Sequence, residues 1–245
     1  MKVIEVNRLC KYFGSFGAVK NLDFHVEQGE IFGFLGANGA GKTTAMRMLC
    51  GLLTPTSGTG HVAGFDIYRE TEKIKRNIGY MSQKFSLYED LTTVENLELF
   101  GGIYGMRGKE IKNKTGDVVA ELGLQFGKDL LVRSLPLGVK QKVAFAVSTF
   151  HSPKIVFLDE PTGGVDPLAR RTFWEMIYRA ANRGVTSFVT THYMDEAEYC
   201  HRVSIMVDGE IRALQSPGDM KKHFNASSME EVFFALARQA KRSEA

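Results

Sequence analysis

The most constraining feature of this chain is the stretch Gly36-Ala37-Asn38-Gly39-Ala40-Gly41-Lys42-Thr43-Thr44. It fits a phosphate-binding pattern of glycine, four variable residues, glycine, lysine and serine or threonine. An apolar run at 31–35 predicts a buried strand before it, and apolar positions after it predict a helix that ends near Gly51. Backbone N–H groups and the helix dipole would then face an anion. We predict a nucleoside triphosphate site, in which Lys42 reaches the outer phosphates and Thr43 offers a hydroxyl to Mg²⁺.

Two further apolar runs end in side chains suited to phosphate chemistry. The run 155–158 predicts a strand buried on both faces, and Asp159 and Glu160 follow it. A second run, 185–190, leads to His192. Because ligands of an open α/β sheet bind beyond the carboxyl ends of its strands, these residues are expected to converge on the phosphate loop. Asp159 is predicted to hold Mg²⁺ with the loop threonine, Glu160 to act on water as general base, and His192 to contact the γ-phosphate.

Two other residues near this site have two interpretations each. Gln83 follows a predicted strand at 77–81. It either ligates magnesium and communicates to the helical region whether the metal is bound, or it is simply a polar residue at a strand end. Phe13 lies in a predicted loop at 11–15, where it either stacks on an adenine ring or packs within the loop.

The periodicity of the remaining chain predicts one α/β domain of several parts. These are a β subdomain with the phosphate loop at 1–83, a helical subdomain at 84–150, the rest of the catalytic core at 151–215 and C-terminal helices at 216–245. The predicted elements are strands at 2–9 and 19–26, a turn at 54–58, a short strand near 60–62, a helix at 71–76, a capping box of Thr92 and Glu95, a helix at 110–122, a helix opened by Asp166 and Pro167, a hairpin at 202–215 turning at Asp208-Gly209, and helices at 217–224 and 229–240.

The amino-acid composition gives no indication of a nucleic acid or a lipid surface as partner. The net charge of +3, from 31 basic and 28 acidic residues, is too small to indicate nucleic acid or a lipid surface. Cys10, Cys50 and Cys200 are widely spaced and odd in number, which favours buried thiols in a reducing compartment. The chain has no apolar run of about 20 residues and no signal peptide pattern, so we expect a cytoplasmic location.

The order of these motifs resembles the nucleotide-binding subunit of an ATP-binding-cassette (ABC) transporter over almost the whole chain. That resemblance implies a P-loop NTPase (RecA-like) α/β core with an N-terminal antiparallel β subdomain and an inserted helical subdomain. It also implies ATP and Mg²⁺ as cofactors, a separate integral-membrane permease at the inner face of the cell membrane, and a second ABC subunit as homodimer or heterodimer. The matching motifs are the Walker A loop at Gly36 to Thr44, the adenine-stacking Phe13, the Q-loop Gln83, the Walker B strand from Ile155 to the catalytic Glu160, the D-loop from Gly163 to Asp166, and the switch His192.

One motif departs from the family pattern. The family signature is Leu-Ser-Gly-Gly followed by Gln or Met, but this chain has Leu135-Pro136-Leu137-Gly138. In the family, this helix start caps the γ-phosphate held by the other subunit of a head-to-tail dimer. Proline is acceptable in the first turn of a helix, so the helix dipole should survive, but a hydroxyl and one N–H are lost. The resemblance therefore implies either slow hydrolysis as a homodimer or pairing with a second cassette that has a complete signature.

Three functions fit the sequence. The first is an ATPase that drives a separate permease. The residues Ala37-Asn38-Gly39 and the segment 229–234 resemble the exporter branch of the family. The segment 229–234 also fits a plain amphipathic helix. The second is a soluble cassette ATPase acting on ribosomes or DNA, which should carry two cassettes or a coiled-coil insertion, together with a basic patch, and this sequence shows none of these. The third is a regulatory module that binds ATP with little turnover.

Overall fold

The computed structural model describes residues 1–83, 87–124 and 128–243, with side chains through residue 238. Its strands are β1 (Lys2–Phe13), β2 (Phe16–Glu27), β3 (Ile31–Leu35), β4 (Ser57–Val62), β5 (Phe65–Asp66), β6 (Ile78–Met81), β7 (Ile155–Asp159), β8 (Thr186–Thr191), β9 (Arg202–Val207) and β10 (Glu210–Gln215). Its α-helices are α1 (Lys42–Leu49), α2 (Thr71–Asn77), α3 (Thr93–Ile103), α4 (Gly108–Glu121), α5 (Leu137–Thr149), α6 (Pro167–Asn182), α7 (Pro217–Phe224) and α8 (Met229–Ser243), with 3₁₀ turns at Val132–Ser134 and Met194–Tyr199.

The strands form two sheets. The first is antiparallel, with strand order β2-β1-β4-β5. The second has the order β10-β9-β3-β8-β7-β6, in which β6 to β9 run parallel to β3 and β10 is an antiparallel edge. Strands β3, β7 and β8 are buried along their whole length, as expected for parallel strands covered on both faces. The carboxyl ends of these three strands therefore meet at one edge of the sheet.

Aromatic packing joins the two sheets. Phe24 of β2 stacks on Phe32 of β3 with ring centroids 5.6 Å apart, and Phe188 of β8 contacts both rings. On the opposite face of the parallel sheet, α6 buries Phe173, Trp174 and Ile177. The central sheet is thus fixed from both sides, which gives the strand ends a rigid support.

Helices α3, α4 and α5 form a separate apolar cluster beside the parallel sheet. Leu97, Ile111, Val143 and Phe150 are buried in it. The predicted capping box is confirmed, since the Thr92 hydroxyl accepts from Glu95 N–H and the Glu95 carboxylate accepts from Thr92 N–H. The division at 84–150 and 216–245 stays a prediction, and residues 84–86, 125–127 and 244–245 within these segments lie outside the described residues.

Several local predictions are confirmed. Asp208 and Gly209 turn the β9–β10 hairpin with φ of 49° and 84°, and Asp166 caps α6 by accepting from the N–H groups of Leu168 and Ala169. All three cysteines are buried free thiols. Across the described residues, no helix is both long and apolar enough to cross a membrane.

Other local predictions are wrong. The predicted loop at 11–15 is instead a tight turn of Gly14 and Ser15, because Gly14 adopts φ of 59° and lets β1 and β2 pair almost to their tips. Phe13 therefore lies at a strand end. Strand β4 begins at Ser57, inside the predicted turn, and the short strand β5 was not predicted. Pro136 is the residue before α5, with ψ of 150°, and is not in its first turn.

Candidate active site

The phosphate loop connects β3 to α1. Gly41 at the start of the helix has φ of 103°, and a Cβ there would collide with the Ala18 carbonyl, so the loop requires glycine at this position. The Lys42 ammonium is buried beneath the loop and donates to the carbonyls of Gly36 at 2.7 Å and Ala37 at 3.0 Å. Burial lowers the pKa of Lys42, whereas the nearby carboxylates of Glu160 and Asp159 raise it. A charged group held in this way favours an anionic partner.

Asp159 ends β7 directly beside the phosphate loop. Its Oδ1 accepts a hydrogen bond from the Thr43 hydroxyl at 3.3 Å and another from the Thr190 hydroxyl of β8 at 2.6 Å. The carboxylate is almost fully buried. Thr43 and Asp159 therefore lie next to each other, as predicted. Thr190, which was not predicted, supports the same carboxylate.

Three predicted residues meet at the Glu160 carboxylate. Gln83 Nε2 donates to Glu160 Oε2 at 3.0 Å. His192 Nδ1 lies 3.2 Å from the same oxygen, within ion-pair distance although not in hydrogen-bonding geometry. Lys42 Nζ lies 3.8 Å from Oε1. The backbone of Glu160 has φ of 49°, a left-handed conformation that is uncommon outside glycine and that clusters at functional sites.

An open cavity of about 520 Å³ lies above these groups. Phe13 and Phe16, directly opposite each other at the tip of the β1–β2 hairpin, form one wall, with 51% and 64% of their surfaces exposed. Lys11 Nζ lies 5.2 Å from the Phe13 ring centre. Phe16 was not predicted as a site residue, although its place across a glycine turn from Phe13 is a usable signal. The other lining residues are Ala18, Asn38, Gly39, Gly41, Lys42, Thr43, Thr44, Gln83 and Glu160.

Comparison with known proteins identifies the family. The family model described as ABC transporter matches residues 19–163, more than half of the chain. The chain belongs to the ABC transporter family. LnrL of Bacillus subtilis (strain 168), a linearmycin resistance ATP-binding protein, is 34% identical over 219 residues, which cover 89% of this chain and 70% of LnrL. The fold class predicted from the sequence is confirmed by solved ABC cassettes.

Other relatives and structures extend this comparison. YbhF of Escherichia coli (strain K12), named a probable multidrug ABC transporter ATP-binding protein, is 49% identical over 219 residues, and these cover 89% of this chain but only 38% of YbhF. A solved ATP-binding subunit of an ABC transporter superposes with a TM-score of 0.85 at 26% identity, covering 96% of this chain and 99% of that chain. A dimeric ATP-binding cassette with bound ADP and inorganic phosphate superposes with a TM-score of 0.78 at 26% identity, covering 87% and 98%.

The altered ABC signature lies outside the cavity of its own chain. Pro136, Leu137 and Gly138 stand at the start of α5, whose first turn packs against the segment that joins β7 to α6. A Cβ on Gly164 would lie 3.6 Å from the Leu137 side chain, and one on Gly138 would lie 3.0 Å from Ala169. The signature and the D-loop segment are therefore packed together on one exposed surface.

The residues beside the phosphate loop suit magnesium. Mg²⁺ prefers oxygen ligands and is usually held by one or two carboxylates together with substrate phosphates, not by a cage of protein side chains. Thr43 and Asp159 supply a hydroxyl and a carboxylate on adjacent sides of the loop. Among the described residues there is no group of three His, Cys, Asp or Glu side chains arranged to hold a metal ion.

Proposed function

We propose that this chain is the Mg²⁺-dependent ATPase subunit of an ABC transporter and powers a separate membrane permease in the export direction. The observation that carries the proposal is the convergence of Lys42, Gln83 and His192 on the Glu160 carboxylate, at the edge of the phosphate loop. The nearby phosphate loop provides N–H donors, a helix N-terminus and a buried ammonium for a triphosphate.

Each residue of the site has a role in this mechanism. Lys42 exchanges loop carbonyls for phosphate oxygens and stabilises the charge that develops on the transferred group. Glu160 accepts a proton from, or orients, the water that attacks the γ-phosphate. His192 contacts the γ-phosphate from the end of β8. Thr43, Asp159 and Gln83 would hold Mg²⁺, which neutralises charge on the outer phosphates when it is bound.

The aromatic pair at the hairpin tip would bind the base. Phe13 and Phe16 are exposed on the wall of the same cavity. A purine offers a flat π-face to such rings, and stacking on an aromatic side chain is worth about 1–3 kcal/mol per base. We propose that Phe13 stacks on adenine and that Phe16 adds a second apolar contact.

An exposed apolar surface of α3 suits a permease. Ile103 and Leu99 lie one helical turn apart on α3 and expose 62% and 38% of their surfaces, and Tyr88 is exposed nearby. An exposed apolar patch of this kind marks an interaction site. We propose that the permease docks here and places the chain at the inner face of the cell membrane. If so, Ile103→Glu should abolish co-purification with a co-expressed permease, whereas Ile103→Val should retain it.

Three observations support export and pairing with another cassette. The relatives' names refer to multidrug transport, drug resistance and Nod factor export. The unmatched three fifths of YbhF is long enough for a further cassette of this size. The altered signature would also cap a partner's γ-phosphate poorly, because each lost hydrogen bond to a charged group weakens capping about ten- to a hundredfold. We propose a second cassette with a complete signature as the natural partner.

Replacing Glu160 tests the proposed function. Glu160→Gln should keep ATP binding and reduce the phosphate release of the chain by about 10²- to 10⁴-fold. Glu175→Gln, an exposed change on α6, is the matched control and should behave as the wild type. A regulatory binding module would instead bind ATP equally well in all three proteins, with no measurable turnover in any.

A further inference from the structure

A cleft of about 360 Å³ lies between α4 and the core, at the edge of the parallel sheet opposite the phosphate loop. Residues just before β7 and β8 contribute to it, and those positions are at the amino ends of the strands. Phe145, Phe150, Met176 and Val185 form an apolar floor. The cleft is within the size range of small-molecule sites, and no part of the proposed ATPase mechanism uses it.

Two polar contacts tie α4 to the core across this cleft. At one end, Arg183 donates to the Glu121 carboxylate at 2.7 Å, so its charge is matched. At the other end, Lys114 Nζ donates to the Ser152 hydroxyl at 2.6 Å and lies 5.7 Å from the centre of the Phe150 ring. Among the described residues no carboxylate is within 4.0 Å of Lys114 Nζ. The two ends therefore differ, because the Arg183 charge is matched by a carboxylate and the Lys114 charge is not, while the other lysine of the lining, Lys154, is exposed to solvent.

Lys114 is poorly compensated where it lies. Burial lowers the pKa of its ammonium, and the charge of Glu110, one turn earlier on α4, opposes that effect at longer range. A partly desolvated cation beside an apolar floor gains more from an anion than an exposed lysine does. Charge and shape together select a ligand with an anionic head and an apolar body.

We propose that this cleft binds a small amphiphilic carboxylate, whose head group pairs with Lys114 and whose unbranched apolar tail lies on the floor of Phe145, Phe150 and Met176. A volume of about 30 Å³ per water-sized group leaves room for roughly a dozen non-hydrogen atoms, which fits a medium-chain fatty acid. Because the walls come from both α4 and the core, the bound ligand holds these two parts together.

Octanoate is a suitable probe, and binding is measured on the full chain without nucleotide, so the result does not depend on the proposed ATPase function. Calorimetry should show saturable 1:1 binding of octanoate, and the ligand should raise the melting temperature. Lys114→Met, which keeps the length of the side chain, should weaken octanoate binding about ten- to a hundredfold and leave weak 1-octanol binding unchanged. Lys112→Met, an exposed change on the same helix, should bind octanoate as the wild type does.

A second variant guards against misfolding of the first. Ala180→Met should fill the cleft and abolish binding of both octanoate and 1-octanol, while circular dichroism reports an unchanged fold. The proposal is overturned if octanoate does not bind saturably, if Lys114→Met binds it as tightly as Lys112→Met, or if inorganic phosphate competes with it at equal concentration. The last result would indicate a site for a compact anion without an apolar body.

Discussion

Asp159 is a buried carboxylate whose orientation depends on two hydroxyl groups. The Thr43 hydroxyl comes from the first turn of α1, whereas the Thr190 hydroxyl approaches from the neighbouring strand and makes the shorter bond, at 2.6 Å. Thr190 also accepts from the Glu160 backbone N–H at 3.2 Å. One fully buried threonine thus supports both acidic residues of the site.

Removal of that hydroxyl should weaken metal use. In Thr190→Val the side chain keeps its shape, but Asp159 loses a hydrogen bond worth about 1.5–3 kcal/mol of stability. Loss of an outer-shell partner typically lowers metal affinity about 10- to 100-fold, so the Mg²⁺ concentration for half-maximal ATP turnover should rise by that factor. Ser187→Ala on the same strand removes a buried hydroxyl that has no hydrogen-bond partner among the described residues and should change neither quantity. Equal Mg²⁺ dependence in both variants would contradict this role.

The loop, carboxylate and histidine positions of the site could be predicted from the sequence because each follows a short apolar strand. The contact of Thr190 with Asp159 could not, since Thr190 is an ordinary strand residue locally. Thr190 reaches Asp159 across 31 positions of the chain, through a strand pairing that the local pattern does not specify. Supporting residues of this kind become visible only when the register of the sheet is known.

Helix α5 keeps its fold although its first residues differ from the family signature. Its N-terminus is intact, with Pro136 in an extended conformation before the first turn. Proline, however, has neither a hydroxyl nor an N–H to offer, and Leu137 exposes an apolar side chain where the family has glycine. Formation of this helix therefore does not depend on the serine and glycine of the family signature.

Restoring the signature should raise turnover in the isolated chain. Pro136→Ser with Leu137→Gly should increase ATP hydrolysis at least about tenfold, because a hydroxyl and an N–H again face the γ-phosphate of the other subunit. Stability should change little, since a serine cap gains about 0.5–2 kcal/mol and a helical glycine costs about 1 kcal/mol. Adding Glu160→Gln to the double variant should remove the gain. Brisk, cooperative turnover by the wild-type chain alone, unchanged by the double variant, would refute the effect.

At the scale of the whole molecule, His151 helps to join the helical cluster of α3, α4 and α5 to the core. Its Nε2 lies 3.0 Å from the Ile78 carbonyl of β6, and its ring stacks on Tyr104 with centroids 3.5 Å apart. Burial lowers the pKa of His151 to about 4, opposed by the Ile78 hydrogen bond and assisted by the Lys114 charge. The folded protein thus keeps this histidine neutral in a pH range where the unfolded chain binds a proton.

Global stability should therefore fall as pH drops below the usual histidine value near 6.5 toward 4. The unfolded state binds the additional proton in that interval, which favours unfolding. After allowance for solvent screening of a half-buried group, the loss between pH 7 and pH 5 is about 1 kcal/mol. Urea unfolding should show this loss in the wild type and in His223→Gln, an exposed control, but not in His151→Phe, which keeps the ring stack and cannot titrate. Parallel curves for all three proteins would exclude His151 as the cause.

At this scale, periodicity predicted most helices and the buried parallel strands, because each has a strong local apolar pattern. It placed a loop where β1 and β2 continue to their tips, since the pairing of Phe13 with Phe16 depends on the partner strand and on one glycine turn. The cleft beside Lys114 could not be predicted either, as its walls come from three helices and two strand connections.

The left-handed backbone at Glu160 lowers the stability of the protein, whereas the proposed hydrolysis needs the carboxylate at this position. A residue with a Cβ in this conformation costs about 1–2 kcal/mol, a strain that glycine would relieve. Glycine cannot act on water, so the role proposed for Glu160 in hydrolysis requires that this strain be kept. A lineage of such cassettes released from selection for hydrolysis would be expected to acquire glycine or asparagine at this position and become more stable as it became inactive.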